Sequence, residues 1–443
     1  MHGTRHNGMR WIIGGAVLAA LAAGGCDSGG DSGSGGGPGA GHYLAELAHT
    51  LLMGAADNAE VVKQVPGTSR ALLISSKARK LTLLAVDEDK LTTLREAALF
   101  ENDPTESELT HLAVAPDGTW AACTRTLIET DGDGAQTDCG GELVFVDVRD
   151  AETFGTVLIR VPVGPMPDSV AVSDNGRWVA VANERDGPDA WGKCVVPGEV
   201  PSVSVLEIPD GDPTGAVERH RIVMVDGDTG PREPESVVFS QDNDLVVVTL
   251  QDSHELLMFR VSALEGTAHP TSELDAVRII ALPGDAVGAG PWPDGVERVP
   301  LPAGGEIFAV AGEWNDMFIL VDSEGQILAN HPVSPADLPA DLPRIVDEGS
   351  PLFSPDSVAS FTVDGRPHVA FSLRHAGAVA IYDVTDPVAP IFASAVTVGL
   401  NETGGQDEDG SSIRPEGIAA APDGSWLLVA NEAESSVSLA VAR

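Results

Sequence analysis

The chain has 443 residues, is 43% hydrophobic, and sets 67 acidic against 26 basic side chains for a formal net charge of −41. Such a balance repels nucleic acid and anionic lipid and favours divalent cations, although it serves solubility equally well. Aromatics at 5% beside 49 Gly and 31 Pro describe many short strands joined by turns.

Residues 1–25 carry Arg5 and Arg10, an apolar stretch from Trp11 to Ala23, and Gly24-Gly25 ahead of Cys26. The stretch is too short for a membrane span and predicts an export signal. A Cys directly after small residues resembles the bacterial lipoprotein signal, with Cys26 lipidated as the new N-terminus. Ala23 stands where that signal usually has Leu, so ordinary cleavage is the alternative. Residues 26–41 are almost wholly Gly, Ser, Asp, Pro and Ala. They predict a flexible tether with a root-mean-square span on the order of 20 Å. An extracytoplasmic location in the bacterial envelope follows, membrane-bound only through that lipid.

From residue 42 onward a phrase returns about every 60 residues, which marks a repeat architecture. Pro and an acidic residue open an apolar run, a Gly/Asp/Asn turn follows, and a second apolar run ends the phrase. Clear copies run from Pro167-Asp168 to Asn183-Glu184 and from Pro415-Glu416 to Asn431-Glu432. Weaker ones open at Pro234-Glu235, Pro293-Asp294 and Pro355-Asp356, and diverged ones at Ala59-Glu60 and Thr110-His111. Asp117-Gly118, Asn175-Gly176, Asp364-Gly365 and Asp423-Gly424 each separate two apolar runs and predict two-residue hairpin turns. A third strand follows at Ser202–Ile208, Leu256–Val261, Ala378–Val384 and Ser436–Val441. Three or four antiparallel strands per unit, in units starting near 58, 108, 166, 233, 292, 354 and 414, predict an all-β, seven-bladed β-propeller over 42–443. The last unit lacks room for a fourth strand. Tyr43–Met53 is expected to supply it and close the ring, although its leucines also fit a helical period.

In a propeller, the start of each innermost strand and the end of the second share one rim of the central channel. Glu60, Asp168, Glu235, Asp294, Asp356 and Glu416 therefore form a ring around one mouth, with His111 in the remaining place. Asn183, Glu184, Gln251, Asp252, Glu313, Asn431 and Glu432 stand beside them as ligand-binding candidates. Six carboxylates near one axis need countercharge, and an oxygen-rich ring suits Ca²⁺ or Mg²⁺. The competing reading is that Pro-Asp/Glu is only strand-starting turn chemistry. His111, His254 and His375 share the face but come from separated blades, so no zinc site is expected. Lys77, Arg79, Lys80, Arg125 and Arg374 reach the same rim and are expected to pair with the carboxylates. Insertions at Glu129–Gly141 and Arg185–Val200 each hold a cysteine, which predicts a Cys139–Cys194 bridge; Cys123, inside a strand, should be a buried thiol. Asp131-Gly132-Asp133-Gly134 has a calcium-loop start without the closing Glu.

Ala59-Glu60-Val61-Val62, Pro167-Asp168 with Val179–Glu184, Glu233-Pro234-Glu235 with Val248-Thr249-Leu250-Gln251, Val379–Pro387 and Pro415–Glu432 together resemble the choice-of-anchor I domain family. Those proteins are relatives of mesenchyme-specific cell-surface glycoproteins, and the resemblance runs over roughly residues 43–443. It implies an extracytoplasmic propeller of the lactonase-like, YVTN/WD40-like architecture, tethered by varying means; it carries no catalytic residues over. No nucleophile elbow, zinc-protease helix, Cys-x-x-Cys or phosphate-cradling loop occurs, and no nucleotide or redox cofactor is expected. The preferred expectation is a monomeric surface-binding module, its ligand or protein partner unnamed, with a cation-dependent propeller hydrolase of lactonase or phosphoesterase type as the alternative.

Overall fold

The computed structural model describes residues 43–443 apart from 55–57, 102, 104–105, 131–135, 139, 150–151, 185–199, 226–230, 266–276, 285–289, 335–337, 339–352 and 401–412. The export signal, the tether, Cys26, the Cys139–Cys194 pairing and the Asp131–Gly134 turn therefore lie outside the described residues.

Seven antiparallel sheets make up the fold. Blade 1 comprises Ala59–Gln64, Arg70–Ser75, Lys80–Asp87 and Lys90–Ala98, in that order. Blade 2 comprises Glu106–Val114, Trp120–Thr130, Gly141–Asp147 and Val157–Val163, with Gln136–Asp138 as an extra strip on the second strand. The innermost strands of blades 3 to 7 are Pro167–Val172, Pro234–Phe239, Pro293–Pro300, Pro355–Val363 and Pro415–Ala420. Each is followed outward by its hairpin partner and a third strand, and in blades 3 to 6 by a fourth. Blade 7 takes its outer strand from the other end of the domain: Ala45–Leu52 pairs antiparallel with Ser436–Ala442. The strand reading of that segment thus holds over the helical one. Tyr43 pins the closure, its hydroxyl donating to the Gly424 carbonyl at 2.7 Å while its ring packs on Phe361 at 5.1 Å. Two sheet edges are hidden at once.

Apolar residues on both faces of each sheet explain the ring. Every seam between consecutive blades has its own buried core, as where Val203, Val205 and Ile222 of blade 3 meet Phe239, Val246 and Val248 of blade 4. The closing seam is equally apolar, with Val62, Leu73 and Leu84 of blade 1 against Leu428, Val437 and Leu439 of blade 7. No sheet could bury both faces alone, so the repeat closes on itself. Cys123 is fully buried within one such core, and burial pushes its thiol up to about 12. Among the described residues the only helical turns are short 3₁₀ pieces, and none is long and apolar enough to cross a membrane.

Most of the hairpins differ from the two-residue expectation. Ala115, Ser173 and Ala421 donate to the carbonyls of Trp120, Trp178 and Trp426, so four residues turn each corner and only Gly118, Gly176 or Gly424 has positive φ. Asp364-Gly365 alone follows the expected form, both residues left-handed between Val363 and Arg366.

Candidate functional site: the carboxylate-lined channel mouth

One local irregularity positions the site. The ladder between the first two strands slips by a β-bulge just after its start in all seven blades, between Pro167 and Ser169, Pro234 and Val237, Pro293 and Val296, Pro355 and Val358, Pro415 and Ile418, Ala59 and Val61, and Leu109 and Leu112. In every blade but the second the bulge carries the acidic residue, and a bulge re-aims the side chain it carries. The residue following the second strand then donates its N–H to the carbonyl just ahead of the first: Ser76 to Asn58, Glu184 to Met166, Gln251 to Glu233, Glu313 to Trp292, Arg374 to Ser354 and Glu432 to Arg414. Asn58, Met166, Ser354 and Arg414 hold left-handed φ values of 44°, 44°, 51° and 53°, a conformation disfavoured for residues with a side chain. Backbone strain is thus concentrated at this rim, as it is at functional sites generally.

All six carboxylates expected from the sequence, Glu60, Asp168, Glu235, Asp294, Asp356 and Glu416, line one cavity of about 440 Å³ at the channel mouth. Glu184, Gln251, Glu313 and Glu432 line it too. Sequence reasoning missed Asn58, Glu108, Thr110 and Arg414 on the wall. Asn58 and Arg414 sit one residue ahead of the repeat phrase, an offset visible in the sequence once the phrase is extended by one. In all, ten carboxylates face the cavity against the cationic Lys77, Arg374 and Arg414 among the described residues.

Several expected positions need correction. His111 does not hold the acid's place in blade 2; Thr110 does. Leu109 pairs with Arg125 as Pro167 pairs with Asn183. His111 N–H donates to the Thr124 hydroxyl at 2.7 Å as Ser236 N–H does to Thr249 at 2.8 Å. His111 therefore corresponds to Ser169 and Ser236, whose hydroxyls accept from the next blade's backbone; its own Nδ1 accepts from Val170 at 3.3 Å. Burial and the nearby Lys63 amine hold the ring well below the usual imidazole range, hence neutral. Asn183 and Asn431 are fully buried within their sheets, their amides donating to Ser202 and Ser204 and to Ser436 and Ser438. Asp252 is half-buried and off the cavity wall. Arg125 is walled in between Asp103 at 2.9 Å and Glu142 at 3.0 Å, with its guanidinium 3.9 Å over Phe100. Lys80 pairs outward with Glu96 at 2.8 Å, and Arg79 donates to Ser107 at 3.4 Å. His254 is tied to the Pro291 carbonyl and His375 stacks edge-on to Trp314. Among the described residues no histidine joins a cluster with metal-ligand spacing.

The electrostatics are severe. Burial first, and repulsion from neighbouring carboxylates second, push Glu60, Glu235, Asp294 and Asp356 well above the ordinary carboxylate range. Glu313 is raised by burial despite Arg374 at 2.5 Å. Glu432 is raised by burial and Glu416 to about 7, even though Arg414 and Asn58 contact it at 2.9 and 2.7 Å. Arg374 also lies 3.7 Å from Asp356 and 3.6 Å from Glu416, and Arg414 lies 2.7 Å from Glu416. Two groups of three carboxylates bring one oxygen each within 4.8 Å of one another: Asp168, Glu184 and Glu235, and Asp294, Glu313 and Asp356. That spacing is inside the roughly 5 Å span across a Ca²⁺ ion with oxygen ligands at about 2.5 Å. Below the mouth, Lys63 and Glu297 face one another's field from opposite blades, and burial lowers the amine while raising the acid.

Comparison with known proteins supports the fold and stops there. No protein-family profile matches the chain, and no curated protein matches it. Hydrazine synthase of Kuenenia stuttgartiensis aligns over 88% of this chain and 96% of its own, at 14% identity and TM-score 0.53. A catalytically inactive virginiamycin B lyase from Staphylococcus aureus with quinupristin aligns over 90% and 99%, at 13% identity and TM-score 0.53. A streptogramin B lyase structure aligns over 91% and 98%, at 10% identity and TM-score 0.50. At such identities the shared property is the propeller, and a fold of this kind hosts unrelated activities.

Proposed function

We propose that this chain is a cell-envelope binding module, exported and lipid-anchored through Cys26, whose channel mouth holds a divalent cation that a surface ligand or protein partner completes. The observation that carries the reading is the convergence of ten carboxylates on one open cavity, four of them held well above their ordinary range by burial first and mutual repulsion second. Ions of the Ca²⁺ or Mg²⁺ class take such oxygens, and Ca²⁺ fits the spacing better because Mg²⁺ demands shorter, more regular coordination. The resemblance to choice-of-anchor I proteins supports the surface role and the tethered placement. Calorimetric titration of Ca²⁺ into metal-free protein is the test. Heat of binding with a rise in melting temperature is expected; neither at millimolar Ca²⁺ removes the cation from the reading.

A cation-dependent hydrolase is the second reading, favoured by one observation. Glu432, at about 7 and facing the cavity beside Arg414, has the proton affinity of a general base working near neutrality. Chromogenic phosphate and lactone esters, with and without Ca²⁺, separate the two. Turnover abolished by Asp168→Ala or Glu235→Ala would make this protein an enzyme.

A further inference from the structure

Within the reading of the mouth as a cation-binding site, on which this inference rests, the geometry points to the chemistry of the ligand that completes it: a guanidinium, seated at the seam between blades 4 and 5 on Glu235, Asp294 and the side-chain carbonyl of Gln251. The repeat sets these acceptors side by side. Glu235 and Asp294 are the bulge acids of adjacent blades. The Val296 N–H donates to the Ser236 hydroxyl at 3.2 Å, which ties the two inner strands together beside them. Gln251 closes the second strand of blade 4, its own N–H donating to the Glu233 carbonyl, and all three residues line the cavity.

Glu235 itself points to a ligand. It is only 9% exposed, it faces the cavity, and no hydrogen bond or ion pair reaches its carboxylate among the described residues. Withdrawing a carboxylate from water without a donor is costly. Gln251 offers a matching acceptor. Its amide nitrogen donates to Glu313 at 3.1 Å, which fixes the amide's orientation and leaves its oxygen without a donor among the described residues. Asp294 is eased from a distance by Arg374 of blade 6.

Size and shape favour an organic cation here over a second metal ion. The cavity of about 440 Å³ falls within the roughly 300–1,000 Å³ of small-molecule sites, and a bare ion fills little of it. The wall also shows which cation it accommodates. Arg414 brings Nε to 2.7 Å from Glu416 and Nη1 to 2.9 Å from Glu432, and Arg374 reaches Glu313 at 2.5 Å and Asp356 at 3.7 Å. Lys77, the one ammonium on the described wall, is exposed and forms no ion pair among the described residues. Acceptors spread over two strands suit a planar fork with five N–H donors better than a compact ammonium with three. One guanidinium over this seam gives Glu235 and Asp294 a charge-assisted contact each and turns a remaining N–H to Gln251 Oε1.

Calorimetry on the metal-free full chain tests the assignment with butylguanidinium and butylammonium, which share charge and stem. Butylguanidinium is expected to bind several-fold tighter than butylammonium; equal affinity would reduce the site to a charge and overturn the assignment. Glu235→Gln is expected to weaken butylguanidinium about tenfold or more, and Gln251→Leu several-fold. Asp252→Asn, off the cavity wall, should change nothing and controls for net charge. Thermal melting checks that each variant is folded, and the Gln251 variant keeps the test alive should Glu235→Gln fail to fold. Undiminished binding by the folded wall variants would overturn the seam. An acetylated, amidated Gly-Arg-Gly peptide identifies the source of the group. Tighter binding than butylguanidinium assigns it to an arginine of a protein partner, and equal or weaker binding to a free small molecule. Ca²⁺ titrated into the same protein separates this inference from the wider reading. Binding of Ca²⁺ without butylguanidinium overturns the guanidinium alone, binding of butylguanidinium without Ca²⁺ supports it and removes the metal, and binding of neither overturns both.

Discussion

The seam between blades 5 and 6 and the seam between blades 3 and 4 are built from the same parts and differ in one charge. Both set two carboxylates from one blade against one from the next, on bulged strands of the same register. Blade 6 closes its second strand with Arg374, blade 4 with Gln251. One seam thus sets a guanidinium against its three carboxylates, while the other has a neutral amide at the equivalent position. A repeated fold can keep a constellation of carboxylates in place and still vary its local charge through a single rim residue.

The largest expected effect comes from taking the internal countercharge away. Arg374 is mostly buried and bridges Glu313, Asp356 and Glu416 from three successive blades. Replacing it with Met leaves those carboxylates facing one another in a dry wall. The cost is about 3–5 kcal/mol, the range for breaking one partner out of a buried ion pair. Chemical denaturation measures it in metal-free protein, and millimolar Ca²⁺ is expected to return much of the loss through binding to the folded state. A loss below about 1 kcal/mol, the range of a surface pair, would show that water already screens this mouth.

Next in size is the pH response. Glu60, Glu235, Asp294 and Asp356 have folded-state affinities for protons well above those of the unfolded chain, and Glu432 titrates at about 7. The folded state therefore holds more protons than the unfolded one above the ordinary carboxylate range. Their contribution to stability is complete only below the ordinary carboxylate range and is lost progressively as pH rises from there through the raised values. Metal-free protein should accordingly melt at lower temperature at pH 8 than at pH 5.5. Ca²⁺ competes with the same protons, so its affinity should climb over that interval and flatten the profile. Carboxylates held low, such as Asp383 paired with Arg366 and Asp147 with Arg149, pull the other way only at more acidic pH, whereas the lowered His111 and His368 oppose the trend as pH rises through the ordinary imidazole range and are outnumbered by the raised carboxylates. A metal-free melting temperature that rises from pH 5.5 to 8 would contradict the assignment of proton-holding carboxylates to the mouth.

How much of this was readable from residues alone follows from where the repeat is regular. The Pro-acid phrase carries the bulge, so the six ring carboxylates and the blade count were legible, as was the closing strand, whose place only arithmetic of strands required. Blade 2 lost the frame because it has neither Pro nor acid at the bulge: Leu109-Thr110-His111 reads one residue out of step until the Thr124 hydrogen bond fixes it. Asn183 and Asn431 were misplaced by strand alternation. They are the last residues of their strands and turn into the sheet, whereas the next residues, Glu184 and Glu432, turn to the mouth. Arg125 fell to the same alternation, since it occupies the Asn183 position in blade 2. Arg414 and Asn58 went unread because their roles depend on a left-handed backbone ahead of the phrase, which no spacing rule announces.

The smallest effect separates backbone strain from charge at the third seam, between blades 7 and 1. Asn58 holds a left-handed φ of 44° and donates to Glu432 at 2.7 Å. Asn tolerates that conformation better than Ala does, and Gly better than either. Asn58→Gly therefore removes the hydrogen bond and keeps the backbone, while Asn58→Ala removes both. The glycine variant should lose about 1 kcal/mol and the alanine variant about 1 kcal/mol more, since a hydrogen bond to a charged group and a strained φ each cost roughly that much. Because the amide favours the ionised carboxylate, both variants should move the Glu432 midpoint upward from about 7 in a carbon-detected NMR titration. Ca²⁺ affinity should not change in either, since the two carboxylate trios with Ca²⁺ spacing belong to other blades. A parallel loss of Ca²⁺ binding would mean that the ion draws on carboxylates from more than one seam of the mouth.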